Sequence, residues 1–358
     1  MKKFSLFLIV LLVAGLVTGC AGTPVVYYSD CTCPTGSHVQ NQTPTVPFVP
    51  TEGALKTGLY ITTDTTGSAS ASAEAEGAAK FEATLVAVLV DDSGVIQSCR
   101  IDGINTSVKF GTDGVITTDL TVAPQTKNEL GENYGMVAWG GAIAEWDEQA
   151  EALAAYAVGK TVDELKTGAV DESGYAPEGS DLASSATIYL GGYVDAIEKA
   201  VANAAHLGAQ AGDELILACT ISIGSSASAS AEAPGNAQMD VDATALTMNS
   251  GVITSCVIDA VQAKVGFDAA GTITTDLTAH VATKNELGAD YGMVAWANAI
   301  AEWNEQAASF AAYITGKTPA EVAGIAVSES TKPTDADLAA SVTIAIGGFQ
   351  ALIAKACG

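Results

Sequence analysis

Positive charge is the rarest property of this 358-residue chain. Lysine and arginine together number 15 against 41 aspartates and glutamates, a formal net charge of −26. A polyanion of this kind repels phosphate backbones and acidic headgroups, which excludes nucleic acid as a partner. Histidine is almost as scarce, with only His38, His206 and His280. Charged residues make up 16%, below the usual quarter, and aromatics 6%. Alanine, glycine, serine and threonine take their place. The low charge does not mean disorder, because an apolar content of 48% is enough to fill a core.

What the chain has in quantity is repetition. Residues 126–150 read TKNELGENYGMVAWGGAIAEWDEQA, and residues 283–307, shifted by 157, read TKNELGADYGMVAWANAIAEWNEQA, with 20 of 25 positions identical. A repeat this long reads as a copied domain, since solenoid units recur every 20–50 residues or so. The copies also act as an internal control. A residue present in one copy only cannot carry a duplicated activity, and no histidine is duplicated. A shared Ser–His–Asp or Cys–His nucleophile is thereby excluded, as is a duplicated histidine metal site. Neither copy carries a glycine-rich phosphate loop. Asp113-Gly114 and Asp91-Asp92 read as hairpin tips, because the alternating oxygen ligands of a calcium loop are missing. The expectation is a protein with no catalytic or metal-ligating set, binding an unknown ligand or surface partner.

Residues 1–20 read as a signal peptide. Lys2 and Lys3 precede an apolar run, residues 4–17, that is short for a membrane span. It ends Val17-Thr18-Gly19-Cys20, which resembles a bacterial lipobox. The resemblance implies that Cys20 is diacylated, becomes the first mature residue and anchors the chain to membrane lipid in an extracytoplasmic location. Two acyl chains suffice for that. Residues 21–53, with Pro24, Pro34, Pro44, Pro47 and Pro50, have neither helical nor strand period and read as a tether. Of the six further cysteines, Cys99 and Cys256 are repeat equivalents expected as buried thiols. Cys31-Thr-Cys33 lacks the spacing of a redox or zinc motif, and disulfide pairing stays open.

The fold class expected is α+β. Two duplicated domains, residues 54–205 and 213–358, flank a short joint at 206–212, and each is long enough to bury a core of its own. In each, an antiparallel strand meander precedes a helical block, a further strand and a C-terminal helix. Residues 81–90 and 95–101 are apolar runs across Asp91-Asp92-Ser93-Gly94, a hairpin signal that Asn249-Ser250-Gly251 repeats. Residues 108–110 and 115–120 read as another strand pair. Thr126…Glu129, Thr283…Glu286, Thr161…Glu164 and Thr318…Glu321 fit the capping box, with Pro319 at the first helical position. Ile143, Trp146, Ala150, Leu153 and Ala157, and their equivalents from Ile300 onward, fall on one helical face that should be core. Residues 185–190 and 341–346 alternate like strands.

The block kept best is YGMVAW. Tyr134, Met136 and Trp139, with Tyr291, Met293 and Trp296, either form a stacking wall for a flat ligand or fill a helix–helix corner, the plainer alternative. Lys127 and Lys284 are expected as exposed first-turn lysines. Glu145, Glu148, Glu302 and Glu305 should face solvent, as should Gln149 and Gln306.

One resemblance bears on a cofactor. Asp181-Leu-Ala-Ser184-Ser185-Ala186-Thr187 is similar to the Asp-x-x-Ser-Gly-Ala-Thr motif of extracytoplasmic FMN-binding domains, and Asp337-Leu-Ala-Ala340-Ser341-Val342-Thr343 is a weaker match. Ser185 stands where that family has glycine. The resemblance implies FMN carried through Thr187 or Thr343, with Asp181 and Ser184 in the motif and the YGMVAW aromatics close enough to stack on the ring. The chain as a whole is similar to tandem-repeat lipoproteins of anaerobic gut Firmicutes, which implies an address and no activity.

Overall fold

The computed structural model describes residues 53–358, so the signal peptide, Cys20, the tether, Cys31, Cys33 and His38 lie outside the described residues. The chain is α+β. Strands β1 (Lys56–Asp64), β2 (Gly77–Val90) and β3 (Ile96–Phe110) form one antiparallel sheet in sequence order. Helices α1 (Lys127–Leu130), α2 (Met136–Gly140), α3 (Trp146–Ala157), α4 (Val162–Ala169) and α5 (Gly191–Ala202) follow. The order then recurs. Strands β4 (Glu214–Ser222), β5 (Gly235–Asn249) and β6 (Val252–Phe267) make a second three-stranded sheet. Helices α6 (Lys284–Leu287), α7 (Met293–Ala297), α8 (Trp303–Ile314), α9 (Pro319–Ala323), α10 (Ala336–Ala339) and α11 (Gly347–Ala356) complete the chain. No helix among the described residues is long and apolar enough to cross a membrane.

The apolar runs of the strands are explained by burial on both faces. In β2, Phe81, Ala83, Leu85, Ala87 and Leu89 point one way, and Val86, Val88 and Val90 the other. The first set does not meet helices of its own half. It packs with Leu215, Met239, Val241, Val261 and Val265 of the second sheet in one shared core. The second set, with Cys99 and Ile101, packs under α3, α4 and α5, and Leu246, Cys256 and Ile258 pack under α8 and α11 in the same way. The layers run helices, sheet, sheet, helices. Each half thus buries a helix-side core of its own, as expected from length, and the two sheets add a further core that both halves share.

The contacts between the sheets are reciprocal. Phe110 and Phe267, the repeat-equivalent last residues of β3 and β6, stack on each other with centroids 4.0 Å apart and planes 2° from parallel. Gly77 opens β2 beside this stack, where a Cβ would fall 2.3 Å from the Phe110 ring. The β1–β2 loop of each half reaches the other half. Ala71 N donates to Gly271 O and Ala229 N to Gly114 O, both at 2.8 Å. Ile273 N donates to Ser70 Oγ and Ile116 N to Ser228 Oγ, both at 2.9 Å. A residue pair and its equivalent pair thus make the same contact in both directions, as across a two-fold axis. The 206–212 joint is tied down as well, since Leu55 N donates to Ala209 O at 2.9 Å and Ala209 is fully buried.

Three local expectations are corrected. β3 runs through to Phe110, and residues 115–120 contribute only a single bridge, Ile116 to Phe110, so they form no second hairpin. Residues 185–190 and 341–346 are not strands. The N–H groups of Thr187 and Ile188, and of Thr343 and Ile344, are taken by a buried side chain, described below, instead of by a strand neighbour. Helices α3 and α8 begin at Trp146 and Trp303, which leaves Ile143 and Ile300 outside them and 57% exposed. The four threonine capping boxes are all formed, with Pro319 in the first turn of α9.

Candidate functional site

The recurring surface feature lies between α1 and α3 and again between α6 and α8. Thr126 accepts from Glu129 N at 3.1 Å, and the Glu129 carboxylate accepts from Thr126 N at 2.9 Å, which starts α1. A single 3-10 turn, Gly131–Tyr134, leads to Gly135 at φ +82°, a left-handed conformation that glycine adopts without strain. The five-residue α2 follows. A helix this short has no stability of its own and needs its free N–H groups held from outside. Glu145 does that. Its carboxylate is buried and accepts from Met136 N at 2.8 Å and Val137 N at 3.0 Å, while Glu145 N donates to Glu148. Glu302 holds Met293 N and Val294 N at the same two distances. Glu145, Glu302, Gln149 and Gln306 are thus buried, not solvent-facing as expected. Their acceptor oxygens are engaged by backbone N–H groups.

The YGMVAW block divides. Tyr134 and Met136 pack against the helix side of the core, as Tyr291 and Met293 do in the other half. Trp139 and Trp296 point outward, each 90% exposed. The Trp139 indole folds back over Gly135, where a Cβ would fall 2.3 Å from its Cδ1. Val137 and Ile143 are exposed beside it, and Val294 and Ile300 beside Trp296. This is neither of the two arrangements expected for the whole block. It is an apolar tip on a braced mini-helix, present twice. The other tryptophans are core, as read from the helical face: Trp146 is buried and donates to Tyr193 Oη at 3.0 Å, and Trp303 is buried against Phe349. Lys127, half-buried, faces two aromatic rings. Its ammonium lies 5.2 Å from the Tyr134 ring and 4.8 Å from the Trp146 ring, and Lys284 repeats this at 5.2 and 4.6 Å.

The motif behind the FMN resemblance is held by the same helix. Gln149 Oε1 accepts from Thr187 N at 2.8 Å, Ile188 N at 3.1 Å and Thr187 Oγ1 at 3.3 Å, and its amide donates to Ala144 O. Gln306 makes the matching set with Thr343 and Ile344. Thr187 is exposed, as are Asp181 and Ser184, whose hydroxyl donates to Asp181 O. Glu145 braces α2 and Gln149, one turn on, braces the Thr187 segment, so α3 organises both.

Other titratable groups are structural. Asp102 and Asp259 are buried at equivalent places in β3 and β6. Asp102 Oδ1 accepts from Gly103 N and Asn128 N at 2.7 and 3.2 Å, and Asp259 Oδ1 from Ala260 N and Asn285 N at 2.7 and 3.0 Å. Burial pushes both carboxyls up to about 6, against the hydrogen bonds that favour the charged form. Cys99, Cys219 and Cys256 are free, buried thiols that burial pushes up to about 12, where nucleophilic thiolate is negligible. Among the described residues, no three His, Cys, Asp or Glu side chains converge as a metal site would require.

No protein-family model, curated protein or solved structure matches the chain. The tips were hidden from a reading by periodicity, yet two signals mark them. Glu-x-x-Glu recurs at 145–148 and 302–305, a capping box with glutamate in the cap position. Left-handed residues also bracket the block, Gly135 and Gly141 in one half and Gly292 and Asn298 in the other.

Proposed function

We propose that this is a tandem-repeat binding lipoprotein, descended from a duplicated domain and held at the extracytoplasmic face of the membrane through acylated Cys20. Its contact points are the two tryptophan tips. The observation that carries the reading is that Trp139 and Trp296 are 90% exposed at equivalent positions, each on a mini-helix braced by a buried glutamate. An exposed indole flanked by valine and isoleucine gains free energy only when a partner covers it. A feature that costs solubility and is built twice supports a binding role. Two equal contacts on one chain also allow bivalent attachment, in which the second contact forms at high effective concentration.

The test uses the soluble chain from residue 22 onward and the envelope fraction of the producing cells. Trp139→Ala with Trp296→Ala should leave the melting temperature unchanged and reduce retention on the envelope at least about tenfold, with each single variant intermediate. Equal retention of the native and double-variant chains would overturn the reading. A second reading, covalent FMN and electron transfer, is supported by one observation: Gln149 and Gln306 hold the backbone of Thr187, which is exposed, and of Thr343, which is half-buried, in the same way in both halves. The intact mass of the same preparation, made with a flavin transferase present, separates the two, since only the flavin reading adds FMN.

A further inference from the structure

The two halves differ where a groove runs along α8. In the second half, a cavity of about 280 Å³ opens between β6 and α8, with Val257 and Ile258 on one wall and Ala308 and Ala312 on the other. Leu207 from the joint sits at its edge. Asn304 also lines it, and its amide oxygen, like the Oδ1 of the equivalent Asp147, is buried away from solvent with no hydrogen-bond partner in the protein.

The first half carries charge at the same three positions. Arg100 stands where Val257 is, Glu151 where Ala308 is and Asp147 where Asn304 is. The Arg100 guanidinium and the Glu151 carboxylate lie 3.6 Å apart, an ion pair spanning the equivalent surface. The second half has therefore exchanged three charged residues for uncharged ones at one place, and these exchanges line the cavity. Two other residues that line the cavity keep the roles of their repeat equivalents: Cys99 and Cys256 are both buried in their strands, and Asn128 and Asn285 both donate to β-strand carbonyls.

We propose that this groove is a binding site for a small, uncharged, mostly aromatic or branched apolar molecule. The walls offer apolar contact and no counter-charge, so a charged ligand would lose its hydration without compensation. An anion would in addition meet the −26 field of the chain. Pockets of this kind owe affinity to apolar burial and orientation to a few polar groups. The site is separate from the tryptophan tips and stands or falls independently of them.

N-phenyl-1-naphthylamine has this chemistry: it is neutral and aromatic, and it brightens when it leaves water. Titrated into the native soluble chain, it should give a saturable one-to-one signal. Val257→Arg with Ala308→Glu recreates the ion pair of the first half and should weaken binding about tenfold or more, the loss expected when apolar pocket contacts are withdrawn. If the charged pair fails to fold, Ala308→Phe fills the groove and should have the same effect. No saturable signal in the native chain, or undiminished affinity in a folded variant with the groove filled, would overturn the proposal.

Discussion

At the residue scale, the decisive side chains are polar ones placed where the surroundings are not. Asp102 and Asp259 sit in the third strand of each sheet with carboxyls raised to about 6, while an unfolded aspartate titrates near 4. Each binds its proton more tightly in the folded chain than in the unfolded one. Between about pH 4 and pH 6 the folded state therefore holds the extra protons, and stability falls as pH rises through that window. A shift of this size corresponds to at most about 3 kcal/mol for each group. The capping glutamates Glu164 and Glu321 lie below the usual range because of their threonine partners, and they act in the opposite sense at lower pH. Asparagine at 102 or 259 keeps an oxygen for both N–H donors, since one carboxylate oxygen receives both. Asp102→Asn and Asp259→Asn should therefore melt higher than the native chain at neutral pH, with the gap closing near pH 4. Thermal melts across that range measure it, and a gap independent of pH would contradict the account.

At the element scale, α2 and α7 exist because Glu145 and Glu302 hold their first N–H groups. Replacing Glu145 by alanine removes both acceptors from a buried place, at a cost of about 1–3 kcal/mol. The expected result is fast amide exchange across residues 136–140 with α3 still protected. Glu145→Gln keeps one acceptor and should be intermediate. Exchange rates that do not change in Glu145→Ala would mean that α2 is held by something else. Sequence reasoning was strong at this scale where a device is local. Thr126, Thr161, Thr283 and Thr318 each reach a glutamate three residues away, and all four boxes form. It was weak where the partner is distant. The alternation of residues 185–190 satisfies the pattern of a strand, but Gln149, 38 residues earlier, takes the N–H groups of Thr187 and Ile188 and no ladder forms.

At the scale of the whole molecule, the two sheets share their inner faces, and Phe110 and Phe267 stack on each other within that contact. Neither sheet can expose its inner face without uncovering the other, so unfolding should be one transition. Phe110→Ala and Phe267→Ala should each cost about 3–5 kcal/mol and lower that same transition. Calorimetry decides the point, and two separable peaks would restore the independent halves that the repeat and its joint suggested.

From the sequence alone came the mixture of strands and helices, the four helix starts marked by threonine capping boxes, the apolar hairpin strands and the burial of Cys99, Cys256, Trp146 and Trp303. These follow from spacing within a few residues, which the chain carries with it. What covers each apolar face was decided only in three dimensions. A strand such as residues 81–90 is apolar on both sides and so demands two partners, but nothing in its spacing distinguishes helices of the same half from the sheet of the other. The exposure of Trp139 was decided there too. The residue belongs to an apolar block by composition and leaves the core because a buried carboxylate from α3 turns its helix outward. The same holds for the groove along α8. Its opening depends on Val257 and Ala308 meeting across a strand and a helix 51 residues apart in the chain, a juxtaposition that only the packed layers create.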